Sequence, residues 1–103
     1  MPVRGVRRRY VCFTIYGSSP SEDLVWETIK NSVLNLYGIS GFSIIDPILI
    51  SYDEAGHKGV VRCRHDQLRC MRTALAYVTS VGSEASALRV DRVSGTIKGL
   101  KRN

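Results

Sequence analysis

Lys58-Gly59-Val60-Val61-Arg62-Cys63-Arg64 sets two arginines into an apolar run that otherwise reads as a buried strand. Arginine almost never enters a core without a partner, so one face of this strand must meet solvent or something anionic. The period of two assigns Val61 and Cys63 to a covered face and Val60, Arg62 and Arg64 to an open one. The architecture then depends on what flanks this strand.

Immediately upstream, Asp53-Glu54-Ala55-Gly56-His57 has the composition of a hairpin loop. It joins the arginine strand to another over residues 42–52, FSIIDPILISY, which Pro47 interrupts. Proline has no N–H for a ladder, so that strand belongs at a sheet edge or carries a bulge. Nearer the N-terminus, residues 9–16 form a first strand in which Val11, Phe13 and Ile15 alternate with Tyr10, Cys12, Thr14 and Tyr16. Gly17-Ser18-Ser19-Pro20 breaks it, and Ser19 with Glu22 reads as a capping box with Pro20 at the first helical position. The helix so opened runs to about Tyr37, with a stripe of Val25, Ile29, Val33 and Leu36, and Gly38 as its C-terminal cap.

Downstream of the arginine strand, Leu68, Met71, Leu75 and Val78 recur at helical spacing, which predicts a second helix over about Asp66–Val81. Gly82-Ser83-Glu84 ends it, Leu88–Val93 makes a fourth strand, and Gly95 leads into a short basic tail. The order β-α-β-β-α-β is the split βαβ arrangement of ferredoxin-like α+β domains, an antiparallel sheet with two helices on one face. Right-handed crossovers place strands one and three at the centre and strands two and four at the edges. The 103 residues suffice for one domain, with a basic arm over residues 1–8 and a basic tail over residues 96–103.

Fifteen lysines and arginines against nine carboxylates give a formal net charge of +6, a balance that favours polyanions as partners. The cations cluster. Arg4, Arg7, Arg8 and Arg9 fall in the first nine residues, Lys98, Lys101 and Arg102 in the last six, and Lys58, Arg62, Arg64, Arg69 and Arg72 in the middle. Arginine predominates, and its planar fork suits phosphate. Arg7, Arg8, Arg9, Arg62, Arg64, Lys98, Lys101 and Arg102 are therefore the candidate RNA contacts. Lys58-Gly59 matches the opening of the third-strand signature of RNA-recognition motifs, but Val60, Arg62 and Arg64 stand where its aromatics belong. That favours backbone and shape recognition of a folded RNA over base stacking. Another ribonucleoprotein assembly module of this fold, or a small-molecule regulatory domain, stays open as an alternative.

Catalysis finds no support. An acylphosphatase of this element order needs an arginine and glycines in the loop after the first strand, whereas Gly17–Pro20 has no arginine and a proline that donates nothing. Asp46 stands alone beside Pro47, and neither histidine has an evident acidic partner. Cys12, Cys63 and Cys70 are odd in number and lack a Cys-x-x-Cys pair, which points to reduced thiols, with Cys12 and Cys63 acting as small hydrophobes in strands. Cys63, His65 and Cys70 lack a fourth metal ligand at suitable spacing. We therefore expect no catalytic residue, no metal site and no bound cofactor. No apolar run reaches the roughly 20 residues that span a bilayer, and no secretory leader pattern is present, so a cytoplasmic location without membrane contact is expected. The first helix carries more apolar side chains than one sheet face needs. Leu24 and Trp26 are the candidates for contact with a protein partner.

RRRYVCF (residues 7–13), GVVRCR (residues 59–64) and RVSGTIKGLKR (residues 92–102) resemble the Pop-five family of ribonuclease P protein subunits, in its archaeal form. The resemblance covers nearly the whole chain in the right order, although many relatives continue beyond the position of Asn103. It implies a non-catalytic subunit that binds and stabilises the catalytic RNA for 5′-leader removal from precursor tRNA, the chemistry being carried by RNA with bound Mg2+. It also implies ribonuclease P RNA as direct partner, precursor tRNA as an indirect one, and a TIM-barrel-like Rpp-thirty subunit, the pair assembling as a dimer of heterodimers.

Overall fold

In the computed structural model, which describes residues 7–101, strand β1 (Arg8–Tyr16) is the spine of a four-stranded antiparallel sheet. Helix α1 (Glu22–Ile45) follows, then β2 (Ile48–Asp53) and β3 (Lys58–Arg64). A single 3-10 turn (His65–Gln67) leads into α2 (Leu68–Tyr77). A two-residue-a-side ribbon, β4 (Ser80–Val81) with β5 (Glu84–Ala85), precedes β6 (Ala87–Ser94) and a short α3 (Ile97–Lys101). The sheet order is β2-β3-β1-β6, so β1 and β3 are central and β2 and β6 form the edges, as a ferredoxin-like fold requires.

One core lies between the sheet and the helices. Val11, Phe13 and Ile15 of β1 and Val61 and Cys63 of β3 are fully covered there. Val25, Ile29 and Val33 of α1, with Met71 and Leu75 of α2, cover them from the helix side. Burying each of the larger side chains contributes about 1.5–3 kcal/mol before the entropy of ordering is counted. The helices are tied together by Ser32, whose buried hydroxyl donates to the Ala74 carbonyl at 2.6 Å.

Several sequence expectations are corrected. Residues 42–45 are helical, so the second strand begins at Ile48, after Pro47 rather than through it. Gly38, at φ 73° and ψ −177°, does stop the first helical segment, but the chain re-enters a helix beyond it and buries Ile45 in the core. The Asp46 N–H closes that second segment on the Phe42 carbonyl at 2.8 Å. The strand nevertheless lies at the sheet edge, and its bulge falls at Ile50, the extra residue between the pairs Leu49–Val61 and Ser51–Val60. The N-terminal cap is Ser21, whose hydroxyl accepts from the Leu24 N–H at 3.3 Å, not Ser19. Ser19 instead meets His57 Nε2 at 3.0 Å across the top of the sheet. The second helix ends at Tyr77, four residues early, because Val78 turns extended to feed the β4–β5 ribbon. The basic tail is helical over Ile97–Lys101, with the Thr96 hydroxyl accepting the Gly99 N–H at 2.9 Å.

Candidate nucleic-acid interface

The face of the sheet away from the helices carries alternate residues of the central strands. Tyr10 stands opposite Arg62 on one side and Ser94 on the other; Thr14 stands opposite Lys58 and Arg89. A bulge in β6, where Asp91 is the extra residue between the pairs Cys12–Arg92 and Phe13–Val90, brings that carboxylate onto Thr14. Lys58 Nζ donates to the Thr14 hydroxyl at 2.9 Å and lies 3.5 Å from Asp91 Oδ2. Three strands are thus laced by one polar chain, which covers Thr14 and leaves Asp91 and Lys58 to screen one another.

The eight candidate RNA contacts divide into distinct environments. Arg62 makes no ion pair among the described residues, and its Nε is covered and without a hydrogen-bond partner. Arg64, next along the same face, holds Asp66 at 3.2 Å. Arg8 pairs with Asp46 at 3.3 Å, the residue that turns the chain out of α1. Arg9 points to the other side of β1 and is half-buried, its guanidinium donating to the Arg8 carbonyl at 3.3 Å. Arg7 is exposed, with its carbonyl accepting the His65 N–H at 3.0 Å. Lys98 is exposed on α3; Lys101 lies in the same helix, and Arg102 falls outside the described residues.

Leu24 and Trp26, the candidate partner contacts, do not form one patch. Leu24 is exposed beside Gly82 of the β4–β5 ribbon. Trp26 packs partly against the core, with Lys30 Nζ 5.4 Å from its ring centroid. Greater apolar exposure occurs past the kink, at Ile39 and Ile44 and at the start of β2, where Ile48 stands. Reading residues 42–52 as a strand hid that surface.

A further basic site was not separated out by sequence reasoning. Between α2 and the outer edge of β6 runs an open groove of about 710 Å³, with Arg69, Arg72 and Arg89 around a floor of Leu68, Leu88 and Val90. The signal was present in part, since residues three apart on a helix share a face. Arg89, from the far edge strand, was invisible as their neighbour.

The thiols are half-buried or buried and unpaired. Burial pushes the Cys63 thiol up to about 11, against 9.0 ordinarily. Among the described residues no three His, Cys, Asp or Glu side chains stand together to hold a metal, and no helix is long and apolar enough to cross a membrane.

This sheet-and-groove geometry sits on a sequence that matches the profile of the Rpp14/Pop5 family over residues 9–103. The chain belongs to the Rpp14/Pop5 family. Relatives within it include "Ribonuclease P protein component 2" of Pyrococcus horikoshii, 36% identical over 97 residues, or 93% of this chain and 81% of the relative. The same-named protein of Thermococcus gammatolerans is 33% identical over 102 residues, covering 98% of this chain and 85% of the relative. That of Methanosarcina mazei is 28% identical over 100 residues, 95% of this chain and 84% of the relative. A chain in the cryo-EM structure of yeast ribonuclease MRP superposes with a TM-score of 0.72 at 14% identity, over 92% of this chain and 79% of that one. At that identity the agreement concerns the fold alone.

Proposed function

We propose that this chain is a non-catalytic protein subunit of ribonuclease P that binds the catalytic RNA and stabilises it for 5′-leader removal from precursor tRNA. Family membership supports the complex. The observation that carries the RNA contact is Arg62, a strand-held arginine with no carboxylate among the described residues, next to Tyr10 on the face of the sheet opposite α1 and α2. A guanidinium held on a strand loses less freedom on meeting a phosphate than one on a mobile arm. Arg64 and Arg8, each paired with one carboxylate, retain unused donors for the same phosphates. Arg7 and Lys98, both exposed, extend the basic surface beyond the sheet, and Lys101 and Arg102 are further candidate contacts by their charge in the sequence.

In this reading the chain supplies no nucleophile, metal ligand or cofactor. The RNA holds Mg2+ and carries the chemistry, and the protein's part is to keep scissile phosphate and metals in productive geometry. An Rpp-thirty-type subunit docks on the helix side through Leu24 and the rim around Trp26, the pair forming a dimer of heterodimers, in the cytoplasm and away from membranes. Reconstitution tests the proposal. Catalytic RNA and the remaining protein subunits are assembled with and without this chain, and cleavage of precursor tRNA at the mature 5′ end is followed. Cleavage stimulated by the chain, and none by the chain alone, is the expected result. Cleavage by the purified chain without RNA would overturn it.

A further inference from the structure

Arg69 and Arg72 line the open groove from α2, three residues apart, and Arg89 borders it at the β6 edge, its register opposite Thr14 turning it toward the sheet face. All three are exposed, and none pairs with a carboxylate among the described residues. Three like charges gathered round one concavity repel each other and raise its potential, which favours an anion that can neutralise them together. The floor is aliphatic and already part of the core, Leu88 being only 7% exposed.

Two kinds of anionic occupant fit arginines. A protein segment would need an apolar anchor, yet the most exposed apolar side chains, Ile39, Tyr77 and Ile44, all lie outside the groove. No aromatic ring lines it either, so bases find no stacking platform there. What remains is recognition of phosphates by forked cations, without reading of sequence.

Arg89 joins this groove to the sheet face. It stands directly opposite Thr14 in the β1–β6 register, and its strand has no neighbour on the outer side. We infer that the α2–β6 groove binds a second stretch of RNA phosphodiester backbone through Arg69, Arg72 and Arg89, and that the RNA passes round the β6 edge between this groove and the sheet face. The inference rests on the reading that the chain binds RNA. It adds that RNA is gripped on two sides of one edge strand, so the protein orients two RNA segments relative to each other.

The test uses the full chain and a transcript of the ribonuclease P RNA encoded in the same genome, titrated at several KCl concentrations. The variants are Arg62→Ala, the triple alanine variant R69A/R72A/R89A and the triple lysine variant R69K/R72K/R89K, each checked for folding by circular dichroism. The triple alanine variant should lower the slope of log affinity against log salt by roughly two units, and the lysine variant should regain most of it. An unchanged slope in the triple alanine variant, with a reduced one in Arg62→Ala, would overturn the groove and leave RNA binding on the sheet intact. If the triple alanine variant kept its RNA slope but lost binding to the other protein subunits, the groove would belong to an acidic protein segment and the inference would fall. No salt-dependent binding by the wild-type chain would remove both readings.

Discussion

Thr14 donates its hydroxyl hydrogen to Asp91 at 2.5 Å from the central strand to the edge strand, and it reaches only because Asp91 is the bulged residue of β6. The same hydroxyl oxygen accepts from Lys58, so one side chain binds three strands. Thr14→Val keeps the shape but removes one donor from Asp91 and the hydroxyl acceptor of Lys58. The expected loss is about 1–3 kcal/mol of unfolding free energy, seen as a lower urea midpoint with an unchanged slope. The double variant Thr14→Val with Asp91→Ala should lose less than the sum of the two single variants.

Arg62 and Arg8 should separate binding from stability. Arg62→Ala removes a side chain with no ion pair among the described residues, so the thermal midpoint should barely move while affinity for RNA drops. Arg8→Ala breaks the partly exposed pair with Asp46 and should cost at most about 1 kcal/mol. Calorimetry alongside RNA titration checks both. A large stability loss in Arg62→Ala would make that residue a structural element of the sheet.

Two glycines should fail for different reasons. At Gly59 an added Cβ would lie 2.6 Å from Phe13 Cζ in the fully packed core. Gly59→Ala should therefore cost about 1–3 kcal/mol through overpacking, and Phe13→Leu in the same chain should return part of it. At Gly38 nothing lies within 4 Å, but φ 73° with ψ −177° is a backbone region open essentially to glycine alone. Gly38→Ala should cost about 1–3 kcal/mol through backbone strain, with no core substitution able to rescue it. Chemical denaturation of Gly59→Ala, its double variant with Phe13→Leu, and Gly38→Ala distinguishes the two mechanisms.

Cys63 should make the fold sensitive to alkali. Its thiol is raised in the folded state to about 11 from 9.0, chiefly by burial, with Arg9 and Arg8 opposing the shift. Above pH 9 the unfolded chain releases this proton while the folded chain keeps it, so stability is full below pH 9 and declines as pH rises toward 11. The loss should be on the order of 2 kcal/mol and should be smaller in Cys63→Ala, measured by urea midpoints from pH 8 to 11. Thiol alkylation at pH 8 should reach Cys12 and Cys70 before Cys63 in the folded protein, since only Cys63 is fully covered.

The order of the four sheet strands and the two long helices, the central places of β1 and β3 and the inward direction of Val11, Phe13, Ile15, Val61 and Cys63 were legible in the sequence, whereas the β4–β5 ribbon and α3 were not. Those properties follow from periodicity and breakers, which act over a few residues. The stretch 42–52 misled because its apolar run suits a strand and a buried helix equally, and Pro47 was read as interrupting the strand when it precedes it. Ser19 and Ser21 are both suitable caps by composition, and only the geometry of Leu24 selects the second.

By itself the sequence determined that this chain is a ferredoxin-like domain with an excess of arginine and one uncovered sheet face. Which arginines are free was decided by tertiary structure. Arg8 is paired through Asp46, brought within reach by the αL turn at the end of α1. Lys58 is tied to Asp91 because β6 bulges at that position. Arg69 and Arg72, close in sequence to Arg62 and Arg64, turn away from them on α2 and reach Arg89 only at the β6 edge. Charge composition is a property of the chain, but an electrostatic surface depends on distances between side chains far apart in sequence, and those exist only once the sheet register is set.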